Sequence, residues 1–185
     1  MTWRTHLLAG MGTVWLLSTV PHSVTLTADP GNVGLLTVAA GIGALLPDLD
    51  AAESKIKHLR LVGNLEPFAL PALLIHRTFG HRGLLHSALG LVLFSLLVGC
   101  PVALGLAWPP ALAGVLGYAS HLALDACTRH GIPLWYPKRQ RYHLLPPQLR
   151  FVTGSLAEEV LLPLVALPVL LLLFSALSGG FGGAV

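Results

Sequence analysis

The sequence predicts an all-α fold, a polytopic membrane helical bundle with about five transmembrane helices, some of them short. Three observations predict it. Apolar residues make up 54% of the 185 positions and charged residues only 10%, against about 25% charge in a typical soluble domain. That is too little charge to coat a surface facing water. The apolar residues are also gathered into runs that approach the roughly 20 needed to cross hydrocarbon as a helix. Finally, the basic residues are confined to alternate connections between those runs, the pattern the positive-inside rule requires.

Taken in order, the first run is Leu7 to Val20. It follows a single basic residue, Arg4, and ends at Pro21-His22 with no small-residue cleavage site, so a retained first helix is expected rather than a removed signal peptide. The second run, Val33 to Leu46, is also short. Short runs suit helices that rest on neighbouring protein as much as on lipid. Phe68 to Ile75 follows Pro67, contains Pro71 and is too short to span, which fits an interfacial or re-entrant piece. Ala88 to Ala107, Ala111 to Cys127 and Val160 to Leu177 are long enough to cross. Glycines at 10, 12, 41, 43, 114 and 117 lie within the runs, where small residues permit close helix approach. Residues 1–178 are expected to form one domain, and the Gly-rich residues 179–185 a flexible tail.

All eleven Lys and Arg fall in three places: Arg4 before the first helix, Lys55 to Arg82 between the second and third, and Arg129 to Arg150 between the fourth and fifth. Five crossings place these on one side, so the N-terminus and both long connections are expected in the cytoplasm and the C-terminal tail outside. The formal charge of +3 is modest. With its bases in short connections, it points to lipid headgroups and membrane topology rather than to nucleic acid. Cys100 and Cys127 provide no disulfide framework, and no feature sets an oligomeric state.

The acids and histidines gather on the same side. His6 opens the first helix; Asp48 and Asp50 close the second; His81, Arg82 and His86 open the third; His121 and Asp125 close the fourth; Glu158 and Glu159 open the fifth. Polar residues at membrane depth are expensive, and function is the default reading. His121 and Asp125 are four apart and share a helix face, a spacing suited to two ligands of one ion. Gly117 lies one turn further along that face, where it can admit a neighbouring helix. Imidazole and carboxylate are the ligands of zinc, manganese and iron. The set His6, Asp48, Asp50, His81, His86, His121 and Asp125 is therefore the candidate ligand set for one or two divalent ions, zinc foremost. Two ions about 3.5–4 Å apart would use all of it. Arg82 suits a substrate phosphate, and Asp50 or Glu158 the movement of a proton. Each residue alone also has a structural reading. Asp48-Leu49-Asp50 can be a solvated helix end, His121 a hydrogen-bonded partner of Asp125, and Glu158-Glu159 favourable charges in a first turn. His22, His58, His76, His130 and His143 read as interfacial residues.

At these positions the chain resembles the YdjM-like, LexA-regulated, membrane-bound metal-dependent hydrolases of bacteria. The resemblance rests on Thr5-His6-Leu7-Leu8, on Leu45-Leu46-Pro47-Asp48-Leu49-Asp50 and on the stretch from Gly80 through His81-Arg82-Gly83 to His86-Ser87. It continues through Leu116 to Asp125, then Thr128, Gly131, Pro133, Trp135, Tyr136 and Pro137, and more weakly through Thr153-Gly154-Ser155 and Glu158. It implies a location in the bacterial inner membrane and a helical core similar to zinc-dependent phospholipase C. In that likeness His121 and Asp125 would match the His-x-x-x-Asp pair, Asp48 or Asp50 the early Asp, and His6 an N-terminal ligand. The expected activity is hydrolysis of a phospholipid or other amphiphilic phosphate ester. Two other classes compete, a divalent-cation or proton transporter and a non-catalytic membrane protein with a structural metal. Transporters place their ligands near the bilayer midplane, whereas these gather at one end.

Overall fold

A computed structural model describes residues 1–18, 30–50, 83–138 and 140–177. His81, Arg82, Arg139, the segment Phe68 to Ile75, the tail 179–185 and the side chain of Asp50 lie outside the described residues. The described chain is helical: α1 (Trp3–Ser18), α2 (Pro30–Leu45), α3 (Ala88–Ala103), α4 (Trp108–Ala126) and α5 (Leu156–Leu177). Short 3-10 turns cover Leu46–Asp50, Leu84–His86 and Pro147–Leu149. The only β pairing among the described residues is two isolated bridges, Thr128 with Phe151 and Ile132 with Tyr142.

Each of the five long apolar runs lies largely within a described helix, but the ends shift for local reasons. The run to Ala107 stops as helix at Ala103, just before Gly105 takes φ +98°, a conformation glycine adopts without strain. α4 begins earlier than its run because Pro109 and Pro110 fit a first turn, where no intrahelical N–H is needed. α3 starts on Ser87, whose Oγ accepts the Gly90 N–H at 3.2 Å, a side-chain cap. α5 gathers Glu158 and Glu159 in its first turn, where the helix dipole favours negative charge. No described helix is both long and apolar enough to cross a membrane by itself.

α2 and α4 form the most extensive packing pair, and α1 packs on both and on α5, while α3 rests on α4. The α2–α4 seam is built from small residues. A side chain at Gly43 would run into the Gly114 backbone, and one at Gly117 into the Ala40 carbonyl. Val14, Leu36, Ala40 and Ala113 fill the adjoining core. At one end of the bundle the interior turns polar: Thr5, His6, His86, Ser87, His121, Asp125, Thr128 and Glu158 are all buried there. On the outside the distribution is reversed. Large apolar side chains such as Val38, Leu97, Leu164 and Phe174 are exposed, at 58%, 70%, 65% and 72%.

Candidate metal centre

The buried polar end is assembled from four elements. α1 supplies His6 from its first turn, and the 3-10 turn after α2 supplies Asp48. The turn before α3 supplies His86, and the last two turns of α4 supply His121 and Asp125. Two carboxylates flank a pair of imidazoles. His86 Nε2 lies 3.3 Å from His121 Nε2, 3.4 Å from Asp48 Oδ1 and 3.7 Å from Asp125 Oδ2. His121 Nε2 lies 3.8 Å from Asp48 Oδ1 and 3.9 Å from Asp125 Oδ2. Ligands about 2.1 Å from a tetrahedral ion stand about 3.4 Å from one another, so these spacings fit a bound divalent ion. His6 stacks on the His121 ring with centroids 3.7 Å apart, and its Nε2 is 3.2 Å from Asp125 Oδ1. Its Nδ1 is buried with no hydrogen-bond partner among the described residues. Two donor groups hold their ligand atoms within 4.8 Å of one another, His6–Asp48–His121 and His86–His121–Asp125, with His121 common to both.

His121 is oriented from behind. Its Nδ1 is 2.7 Å from the Ala44 carbonyl, which only accepts, so Nδ1 carries the proton and donates. Nε2 of the neutral ring then presents its lone pair to the centre, the usual arrangement for a metal-binding imidazole. Tyr118, one turn earlier on the same face, donates its hydroxyl to the Leu85 carbonyl at 2.6 Å and so fixes the turn that carries His86. Thr128 donates its hydroxyl to the Asp125 carbonyl at 2.8 Å. Asp48 is the partly open member, with a side chain 23% exposed against 0–1% for His86, His121 and Asp125. Burial pushes its carboxyl up, but the His86 hydrogen bond and the positive charge that the surrounding imidazoles carry when protonated outweigh that and hold it below the usual carboxylate range. It is therefore an anion at neutral pH, ready to bind a cation.

Of the sequence candidates, His6, Asp48, His86, His121 and Asp125 come together. Glu158 sits beside them in a different setting. Its Oε1 accepts the Thr2 N–H and the Thr5 hydroxyl, and its Oε2 accepts the Gly154 N–H at 2.8 Å. It thereby holds the entry of α1 to the start of α5. Glu158→Ala is expected to leave three donors without this acceptor, at about 1–3 kcal/mol for each one that stays buried. Thermal unfolding should show a large drop, while Glu158→Gln recovers part of it. Unchanged melting in Glu158→Ala would contradict this role. Sequence reasoning missed the Met1 amine, which lies 2.5 Å from Asp125 Oδ1, and the Ala44 carbonyl, since backbone groups leave no signature in residue type. Tyr118 was detectable, being three residues before His121 and seven before Asp125 on one helical face.

The family model described as YdjM inner membrane protein matches residues 1–182. "Uncharacterized protein YvsG" of Bacillus subtilis is 31% identical over 163 residues, 88% of each chain. "Inner membrane protein YdjM" of Escherichia coli K12 is 39% identical over 116 residues, 60% of this chain and 54% of that protein, and the Shigella flexneri protein of the same name matches equally. No solved structure matches. The chain belongs to the YdjM inner membrane protein family.

Proposed function

We propose that this protein is a metal-dependent hydrolase of the bacterial inner membrane, cleaving phosphate esters of amphiphilic molecules at the cytoplasmic surface. The observation that carries the reading is that Asp48 Oδ1 and Asp125 Oδ2 each lie within 3.9 Å of both His86 Nε2 and His121 Nε2 inside the bundle end. His121 Nδ1 is engaged by Ala44, leaving this residue one nitrogen for coordination, and that supports one ion shared by both donor groups. Zinc suits the two-nitrogen, two-oxygen set, with manganese or iron as alternatives. When bound, such an ion lowers the pKa of water and polarises a phosphoryl oxygen.

The residues of the chain do the rest. Asp48, on the exposed side, marks where a substrate phosphate approaches. Arg82 would grip its oxygens, His81 would add a donor, and Asp50 would take up the proton of the attacking water. The membrane location rests on the names of the relatives, on the exposed apolar side chains of α2, α3 and α5 and on the one-sided placement of basic residues. Clustering at one end of the bundle supports an enzyme over a carrier.

A second reading, a structural ion, is favoured by one observation: two histidines and two aspartates gather here, the number of protein ligands a closed site uses. Purified protein should hold about one equivalent of transition metal and release phosphate from amphiphilic phosphate esters, with chelation stopping turnover. Absence of bound metal would end both readings. Bound metal without turnover, together with unfolding on chelation, would establish the structural ion instead.

A further inference from the structure

Beside the centre lies a cavity of about 250 Å³ that the donor cluster does not use. The residues that wall it are the neighbours of the ligands. Leu46 and Leu49 bracket Asp48, Leu84 and Leu85 precede His86, and Tyr118 precedes His121 on α4. Leu49 is buried and packs against Leu45, Leu46 and Leu85, so the inner wall is firm hydrocarbon. Among the described residues, Tyr118 is the only lining side chain with a polar atom, and its hydroxyl donates to the Leu85 carbonyl. Phe94, Leu93 and Leu97 carry the cavity along α3 to its outer face, where Leu93 is 47% and Leu97 70% exposed.

An apolar slot walled by the sequence neighbours of the candidate ligands, and opening on an exposed apolar helix face, matches a molecule with a charged head and a hydrocarbon tail. The geometry points to this cavity as the subsite for one hydrocarbon chain of the substrate, with the phosphate head at the Asp48 side of the centre. The polar end of this assignment rests on the hydrolase reading above; the apolar end rests on the cavity alone. At about 30 Å³ for a water-sized group, the slot holds a stretch of about eight carbons. The preferred substrate is therefore an amphiphile with a flexible chain at least that long, not a short water-soluble ester. Chain beyond the slot stays in the lipid that α3 faces.

The test uses the full chain in lipid nanodiscs, loaded with zinc, and alkyl p-nitrophenyl phosphates with chains of two to twelve carbons. Water adds at phosphorus, the bond to the nitrophenol oxygen breaks and coloured nitrophenolate leaves, so only the alkyl chain varies. kcat/KM should rise roughly tenfold for every two methylenes buried and level off near eight carbons. Leu93→Trp and Leu97→Trp, which narrow the slot, should flatten the series while metal content stays the same. Partition into lipid is common to wild type and variants, so the difference isolates the cavity. A flat wild-type series, or one that both variants leave unchanged, overturns the slot and leaves the hydrolase standing. If nothing is cleaved, a diazirine-bearing alkyl phosphate decides. Metal-dependent crosslinks to residues 84–97 that an alkyl alcohol probe does not give keep the slot and remove the hydrolase. Equal labelling by both probes makes the cavity a plain lipid groove and overturns the slot.

Discussion

His121→Ala is expected to lose the bound ion and all metal-dependent hydrolysis while the protein stays folded. His121 belongs to both donor groups, and its Nε2 faces His86, Asp48 and Asp125 within 3.9 Å. Changes to groups that merely orient a ligand cost about 10–100-fold in affinity, so removing this ligand should cost at least about 100-fold. Competition against a chelator of known affinity, followed by metal analysis after dialysis, reads the loss. Asp125→Asn should behave similarly, because an amide keeps the shape and lacks the charge. Thermal unfolding in the presence of chelator separates lost coordination from lost fold: wild type and variants should then melt close together. A His121→Ala protein that retains its full equivalent of metal would show that the ion, if any, lies elsewhere.

The second large effect is expected far from any donor atom. Gly43 and Gly117 bring the α2 and α4 backbones into contact, each lying against a carbonyl of the other helix at Gly114 or Ala40. A side chain at either position must push the helices apart, since the obstacle is backbone and cannot rotate away. Overpacking a well-filled interior costs about 1–3 kcal/mol and occasionally more, and a rigid obstacle belongs at the upper end. Gly117→Leu and Gly43→Val should therefore unfold the protein in mild denaturant. Gly34→Ala and Gly99→Ala are the matched controls, for nothing lies within 4 Å of a Cβ at either place. Those should be neutral or gain up to about 1 kcal/mol from helix propensity. Equal stability for all four variants would disprove the seam. Because α2 leads to Asp48 and supplies the Ala44 carbonyl, while α4 carries His121 and Asp125, any surviving Gly117→Leu protein should also bind metal poorly.

Much of this was legible in the residues. Hydrophobic runs gave five helices in the right places, because burial of a helix leaves a mark at every turn. The i, i+4 pair His121–Asp125 and the small residues of the seam were visible for the same reason. Asp48, His86 and His6 were singled out by an argument from alternation, and the structure brings all three close to His121. What stayed hidden is what composition does not encode. Helix ends moved where a proline pair or a positive-φ glycine overrode the hydrophobic pattern, as at Pro109 and Gly105. Glu158 reads as a free acid until its three donors, two of them backbone N–H groups, are seen in space. How many ions the proposed centre would hold hinges on which nitrogen of His121 is already engaged, and that depends on a backbone carbonyl 77 positions away.

The connection that follows α4 has a further bearing on the ligands it trails. A helix terminus normally leaves its last carbonyls to water and frays. Here the Leu124 carbonyl takes the Cys127 N–H, the Asp125 carbonyl takes Thr128, the Ala126 carbonyl takes Leu144, and the Cys127 carbonyl takes Phe151. The loop from Thr128 to Phe151 thus acts as a splint laced to the final turn. Two of the grasping side chains are anchored on a stretch of backbone denied its ordinary looseness, so the grip keeps its shape whether or not there is anything to hold.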